Sequence, residues 1–355
     1  MKKINVAVIF GGTNTEHEVS LVSARAIIQN LNPEKYQILP VMITKANQWL
    51  TPKSFLADPT HLRSLPETTR SGITVKPQEI TAAHQIDVFF PVLHGPYGED
   101  GTIQGLLEMM PVAYVGCGVL ASAICMDKDI QKRLCLQAGL PVVPYQVVTS
   151  AVVPDPVSFP CFVKPANQGS SVGVTKVHRS KDLKPALIAA FKLDTKVLIE
   201  TAVPMAREIE CAILGTTEHP EASVLGEVIP SNEFYDYNAK YIDGQSQAII
   251  PARLPTKLAH AIQSAAQKAF IVCGGYGLAR VDFLVPKEGR GEPYYLSELN
   301  TLPGFTTISM YPKLWQASGL KYAKLLDRLI DLALNRHQQK SKLKLSYQPK
   351  SAWFD

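Results

Sequence analysis

Long apolar runs, closely spaced cysteines and a surplus of one sign of charge are all missing from this 355-residue chain. No segment approaches the 18 or more consecutive apolar residues that a membrane-spanning helix requires, so no membrane partner is expected. The six cysteines, at positions 117, 125, 135, 161, 211 and 273, form no Cys-x-x-Cys pair and no zinc-ligand spacing. Free, buried thiols in a reducing compartment are the simplest reading. Met1-Lys2-Lys3 could begin a secretory leader, but Glu16 and Glu18 follow soon and no small-x-small cleavage site appears. A cytoplasmic location is expected.

Lys and Arg number 36 against 31 Asp and Glu, a net charge of +5. Arg336, Lys340, Lys342, Lys344 and Lys350 against Asp355 put +4 of this into residues 336–355, leaving +1 for the rest. Binding to a phosphate backbone needs a concentrated positive field, so nucleic acid is not an expected partner. What the chain does have is 46% hydrophobic and 19% charged residues, proportions of a folded protein rather than a disordered or coiled-coil one. Its length suggests about two or three domains.

Ile4 to Phe10 reads as a strand ending at Gly11-Gly12, and Thr15-x-x-Glu18 as a capping box opening a helix with Leu21, Ala24, Ile28 and Leu31 on one face. Further strands at 36–43, 86–93 and 112–115 make this a parallel, doubly wound α/β domain, with residues 50–80 as a surface excursion. A helix at 127–138 precedes a mixed α+β unit: strand, Gly-rich loop, strand, a helix at 180–192 and strands at 197–200 and 208–214. Beyond a polar stretch at 230–247 come a helix at 255–273, strands at 277–285 and 294–299, and a helix at 322–335. The expected divisions are 1–116, 117–199 and 200–336, with 337–355 a disordered basic tail.

Arg280-Val281-Asp282 and Glu298-Leu299-Asn300 fall on two of these strands, where residues i and i+2 share a face. If the strands pair, Arg280, Asp282, Glu298 and Asn300 converge. Two carboxylates and an amide oxygen suit magnesium carrying a nucleotide; a solvated salt-bridge lattice is the plainer alternative. Lys164 ends a strand before Gly169-Ser170-Ser171-Val172-Gly173, an arrangement that can hold phosphate through an ammonium and flexible backbone N–H groups. It matches no Walker A loop. Gly116-x-Gly118-x-x-Ala121 resembles a dinucleotide fingerprint, but no acidic residue lies about 20 positions on to hold a ribose, so it reads as a turn into a helix. His94 ends a core strand beside a Gly-rich loop containing Glu99 and Asp100, where parallel sheets place ligand crevices. A hydrogen-bonded structural histidine is the alternative.

Seven ordered motifs resemble those of the D-alanine:D-alanine ligases: Gly11-Gly12-Thr13 to Ser20, His94 to Gly101, Met126-Asp127-Lys128, Gly169 to Gly173, Phe234 to Tyr241, Arg280-Val281-Asp282, and Glu298 to Gly304. The resemblance covers about residues 3–336 and implies an ATP-grasp fold and an enzyme joining two D-alanines through an acyl phosphate, for peptidoglycan. By motif position Lys128 and Lys164 would bind ATP phosphates, and Glu200, Val203 and Glu208 would surround adenine and ribose. Ser171 and Lys240 belong to the same nucleotide-binding set. Asp282, Glu298 and Asn300 would hold one or two Mg2+ or Mn2+ ions. Glu16 would receive the first substrate's ammonium, with Ser170 and Tyr241 hydrogen-bonded to it. Arg280 and the Gly304 N–H would stabilise the tetrahedral oxyanion, while His94 and Ser309 place substrate. The expected partners are ATP and two D-alanine molecules, with a homodimer left open. Gln168 departs from the family pattern, and the tail beyond residue 336 lies outside it. An NAD-dependent oxidoreductase and a catalytically silent nucleotide-binding regulator are the rival readings.

Overall fold

The computed structural model describes residues 2–52, 72–74, 76, 81, 85–230, 247–287 and 293–344. Strand β1 (Ile4–Gly11) is buried from Val6 onward, as an apolar strand covered on both faces should be. It pairs in parallel with β2 (Tyr36–Ile43) and with β5 (Val88–Val92), which pairs in parallel with β6 (Ala113–Tyr114). The helix α1 (His17–Asn30) links β1 to β2.

Two strands, β3 (Trp49–Pro52) and β4 (Gly72–Thr74), extend this sheet antiparallel at its β2 edge, giving the order β4-β3-β2-β1-β5-β6. The segment expected to be a mere surface excursion therefore contributes edge strands, and Thr51 is fully buried.

The helix opens one residue later than a Thr15 cap would place it. Helix α1 has Glu16 at its N-cap with no side-chain cap bond. Instead the Glu16 N–H donates to Asn14 Oδ1 at 2.9 Å, and Glu18 pairs with Lys45. Glu16 is thereby left at the mouth of the helix with its carboxylate turned to other work.

After α2 (Thr102–Glu108), α3 (Val119–Met126) and α4 (Lys128–Gln137) comes a four-stranded antiparallel sheet, order β7-β10-β8-β9. Its strands are β7 (Tyr145–Val148), β8 (Cys161–Pro165), β9 (Thr175–Val177) and β10 (Val197–Thr201), with α5 (Ser180–Ala190) packed on one face. This sheet has its own apolar core, built from Val163, Leu183, Leu187 and Val197 among others.

The third sheet is antiparallel, order β13-β12-β11-β14-β15. It comprises β11 (Arg207–Gly215), β12 (Pro220–Ile229), β13 (Gln247–Ile249), β14 (Gly277–Val285) and β15 (Tyr295–Asn300). Helix α6 (Thr256–Val272) packs on one face with α3 and α4 in a core that includes Cys125, Cys135, Ile209 and Phe270. Helices α7 (Met310–Ala317) and α8 (Tyr322–Lys340) join the other face to the first sheet, since Val8 and Phe90 share one apolar cluster with Leu214, Tyr311 and Leu329.

Helix α8 runs to Lys340, five residues past its expected end at 335 and into the tail expected to be disordered, and Lys340 pairs with Glu108. Before that, Arg336 donates to the carbonyls of Gly116 and Tyr114, both at 2.7 Å. All six cysteines are free and buried, and burial pushes the Cys211 thiol up to about 12. No helix among the described residues is long and apolar enough to cross a membrane.

Candidate active site

Strand β14 alternates buried Val281 and Phe283 with partly open Arg280 and Asp282. Pairing with β15 sets Arg280 opposite Asn300 and Asp282 opposite Glu298, so the four expected residues do meet on one face. The register is regular across these four residues, and a β-bulge lies just beyond them. The register shifts between Asp282 and Phe283, whose partners are Glu298 and Leu296, leaving Ser297 as the extra residue. In an unbroken strand Leu296 and Glu298 would share a face. The extra residue lets Leu296 be buried while Glu298 stays beside Asn300 on the cleft face, a re-aiming that bulges commonly provide beside active sites.

The Arg280 guanidinium donates to both oxygens of Asp282, at 2.7 and 2.6 Å, and lies 3.2 Å from Glu210 Oε2 on β11. Burial alone would lower its pKa, but Asp282 and Glu210 outweigh that and hold it well above its ordinary value. Asn300 Nδ2 donates to Asp282 at 3.1 Å. Among the described residues no group of three His, Cys, Asp or Glu is arranged to hold a metal. The donor set here is instead two carboxylates and an amide oxygen. These are hard donors that fit a small divalent ion whose remaining ligands are phosphate and water.

Two clefts meet at this face. The first, about 750 Å³ with its open mouth, is lined by Glu16, His94, Glu99, Ser170, Gly304 and Ser309. The second, about 1480 Å³ on the same basis, lies between the second and third sheets and is lined by Lys128, Lys164, Ser171, Glu200, Val203 and Glu208. Glu210, Arg280 and Glu298 line both.

In the first cleft Ser170 Oγ donates to Glu16 Oε1, joining the Gly-rich loop to the start of α1. Ser170 and Ser171 have φ of 47° and 58°, left-handed values that cost non-glycine residues energy and tend to be kept where function over-determines the backbone. A Cβ on Gly169 would lie 2.9 Å from Glu16 Oε2 and 3.2 Å from Glu99 Oε1, so a side chain here would push the Glu16 carboxylate aside.

His94 is buried, with Nδ1 3.0 Å from the Leu302 carbonyl and Nε2 3.1 Å from Ser23 Oγ. A carbonyl can only accept, so Nδ1 carries the proton and Nε2 accepts from the serine. Burial lowers its pKa and favours this neutral form. Its nitrogens are thus engaged in holding the 302–305 loop against α1, which itself shapes the cleft. Ser309 Oγ accepts from the Thr306 N–H at 3.0 Å. Lys240 and Tyr241 lie outside the described residues.

In the second cleft Lys128 Nζ donates to the Gln168 carbonyl at 2.5 Å. Lys164 Nζ pairs with Glu200 Oε2 at 2.5 Å, and Lys132 Nζ with Glu200 Oε1 at 3.1 Å. Burial would raise the Glu200 carboxyl, but the two ammonium groups outweigh it and hold it at about 2.

Glu99, Lys132 and Glu210 were not among the residues picked from sequence. Glu210 had a readable signal, since Glu208-x-Glu210 alternates on a strand. Lys132 stands four residues after Lys128, hence on the same helix face.

Burial, reinforced by the Glu16 charge, pushes the Glu99 carboxyl up to about 8 from an ordinary 4.5. The fold then keeps a proton that the unfolded chain releases, so the stabilisation is complete below about pH 4.5 and is lost as pH rises through about 8. Glu99→Gln should remove this dependence. The stability difference between wild type and variant, read from urea midpoints, should therefore fall steadily from about pH 5 to about pH 8.5. A constant difference would mean that Glu99 keeps ordinary acidity.

With this geometry in hand, the similarities to known proteins are informative. Residues 5–117 match the family model described as D-ala D-ala ligase N-terminus, and residues 134–331 the one described as D-ala D-ala ligase C-terminus. A D-alanine--D-alanine ligase of Thermoanaerobacter sp. (strain X514) is 48% identical over 359 residues, covering 96% of this chain and 99% of that protein. One of Caldicellulosiruptor bescii is 48% identical over 366 residues, covering 98% and 99%. Among solved structures, the D-alanine-D-alanine ligase from Coxiella burnetii superposes with a TM-score of 0.80 at 34% identity, covering 96% of this chain and 97% of that one. The VanG D-Ala:D-Ser ligase from Enterococcus faecalis gives 0.81 at 33%, covering 94% and 100%.

Proposed function

The chain belongs to the D-alanine--D-alanine ligase family, with its ATP-grasp fold, and from that premise we propose how its residues, with a divalent metal, carry out the joining of two D-alanines at the expense of ATP. The reading rests above all on one observation: an amino-acid-sized cleft and a nucleotide-sized cleft share Arg280, Glu210 and Glu298 as a common wall. A carboxylate held in the first can reach a phosphate held in the second.

ATP lies in the second cleft, its adenine and ribose beside Glu200, Val203 and Glu208, and its phosphates beside Lys128, Lys164 and Ser171. Lys240 completes that set from the segment outside the described residues. Asp282, Glu298 and Asn300 would hold Mg2+ or Mn2+, which supplies charge neutralisation for the transferring phosphoryl group.

Glu16, oriented by Ser170, receives the ammonium of the first D-alanine and so points its carboxylate at the γ-phosphorus. Attack by a carboxylate oxygen releases ADP and leaves an acyl phosphate. The amine of the second D-alanine, placed by Ser309 and the loop that His94 braces, attacks the acyl carbon. Arg280 and the Gly304 N–H receive the resulting oxyanion. Donors aimed at such developing charge are worth roughly 10² to 10³ in rate. The tetrahedral species collapses, phosphate leaves, and the amine loses its proton to give D-alanyl-D-alanine for peptidoglycan. Tyr241 joins the Glu16–Ser170 pair in this scheme. The functional division at residues 116, 199 and 336, a homodimeric assembly and a cytoplasmic location belong to the same proposal.

The order of steps has a direct test. With D-alanine bound and the second step slow, oxygen label in the β,γ-bridge of ATP should scramble into the β-nonbridging positions through reversible phosphoryl transfer. Absence of scrambling, while bound ADP is free to rotate and return, would rule out an acyl phosphate formed first.

A further inference from the structure

Among the described residues Lys132 is a cation with its side chain fully buried, yet it lines neither cleft. It stands on α4 behind β10, over the Tyr145 ring at 5.8 Å, and its ammonium reaches Glu200 Oε1 at 3.1 Å. The other Glu200 oxygen holds Lys164, whose side chain is 17% exposed at the cleft wall. One carboxylate therefore has a cation on each oxygen, one at the nucleotide cleft and one sealed away from it. Isolated buried charges are strongly disfavoured, and this sets the requirement for any movement of Lys164. An ammonium that leaves Glu200 for a phosphate abandons a carboxylate that is only 2% exposed. The departure is tolerable only if a second cation stays behind.

We propose that Lys132 is a positioning residue that acts as the resident counter-ion of Glu200, freeing Lys164 to exchange that carboxylate for ATP phosphate. The inference rests on the nucleotide cleft being where the proposed function puts it. Lys132 touches no substrate in this arrangement; it acts through Glu200 on Lys164. Without it, Glu200 retains one partner, and Lys164 is pinned to the wall. The pKa directions agree with this division: burial lowers Lys132, whereas Glu200 outweighs burial and raises Lys164. The more strongly held proton thus sits on the lysine that faces the phosphates.

The experiment measures binding of a non-hydrolysable ATP analogue with Mg2+, and separately of adenosine, to wild type, Lys132→Met, Lys132→Arg, Lys164→Met and the Lys132→Met/Lys164→Met double variant. Lys132→Met should weaken the ATP analogue by about tenfold or more beyond any weakening of adenosine, the scale of one charged hydrogen bond, because Glu200 also lies beside the adenine and ribose whereas only phosphates compete for Lys164. Lys132→Arg should stay close to wild type. The double variant should bind the analogue no more weakly than Lys164→Met alone, since coupled residues are non-additive. Should Lys132→Met fail to fold, Lys132→Gln takes its place with the same expected loss. Equal weakening of adenosine and the ATP analogue would make Lys132 merely structural and overturn the proposal, as would unchanged analogue binding or additive losses in the double variant. A wild-type protein that binds neither ligand would instead overturn the nucleotide-cleft reading beneath it.

Discussion

Asp282→Asn should lower turnover by at least about 10²- to 10³-fold, the scale of losing a group that stabilises transition-state charge. The side chain keeps its shape, so β14 and its pairing with β15 should survive. What goes is one negative charge at the junction of the two clefts. Asp282 accepts both Arg280 bonds and the Asn300 amide, so its neutralisation acts twice. The metal-binding set falls from two carboxylates to one, and Arg280 loses its bidentate partner while Glu210 stays 3.2 Å away. Steady-state rates across a magnesium titration separate the two effects. A weakened metal response recovered at high magnesium would reflect the first, and a loss that magnesium cannot repair the second. Near-wild-type rates at the same magnesium concentration would take Asp282 out of the metal shell.

Glu16→Gln should raise the KM for the first D-alanine by about 10- to 100-fold, the worth of a charged hydrogen bond in a dry site, without changing ATP binding. Glu16 is 3% exposed, and its Oε1 accepts from Ser170. Glutamine can still accept that bond, so the Gly-rich loop should stay in place. Only the attraction for an ammonium is lost. Binding of the ATP analogue provides the internal control: if it falls as far as D-alanine affinity does, Glu16 supports the loop rather than the substrate.

Regular alternation is what made the catalytic face legible. Arg280 and Asp282 alternate with Val281 and Phe283, and the Gly-rich loop after Lys164 follows an apolar strand; both patterns survive in the fold. Leu296 is buried for a reason that alternation alone would miss, because the bulge at Ser297 changes the phase of β15 between Leu296 and Glu298.

The Lys132–Glu200–Lys164 group was invisible for another reason. Its members come from α4, β10 and β8, and nothing in a local pattern says that an amphipathic helix will turn a lysine inward. Glu99 was noticed in its loop, but its burial against Glu16 arises only once the first loop and the Gly-rich loop close over it. Helix α7 escaped notice because Pro312 reads as a breaker, although proline is tolerated in a first helical turn. Strand β12 was hidden by Glu221, Ser223, Gly226 and Glu227, which dilute its apolar pattern. The start of α1 is a similar case: Thr15-x-x-Glu18 has capping-box spacing, but the helix begins at His17 with Glu16 at its N-cap, and Glu18 pairs with Lys45.

The central claim is that this site joins two D-alanines using ATP, and the most direct measurement is ADP release with product analysis in the presence of D-alanine, L-alanine, or D-alanine mixed with D-lactate or D-serine. D-Alanine alone should give ADP and D-alanyl-D-alanine in equal amounts, with L-alanine inert and the dipeptide dominant over mixed products at neutral pH. ADP release that ignores D-alanine, or D-alanine-dependent turnover that yields no dipeptide, would contradict it.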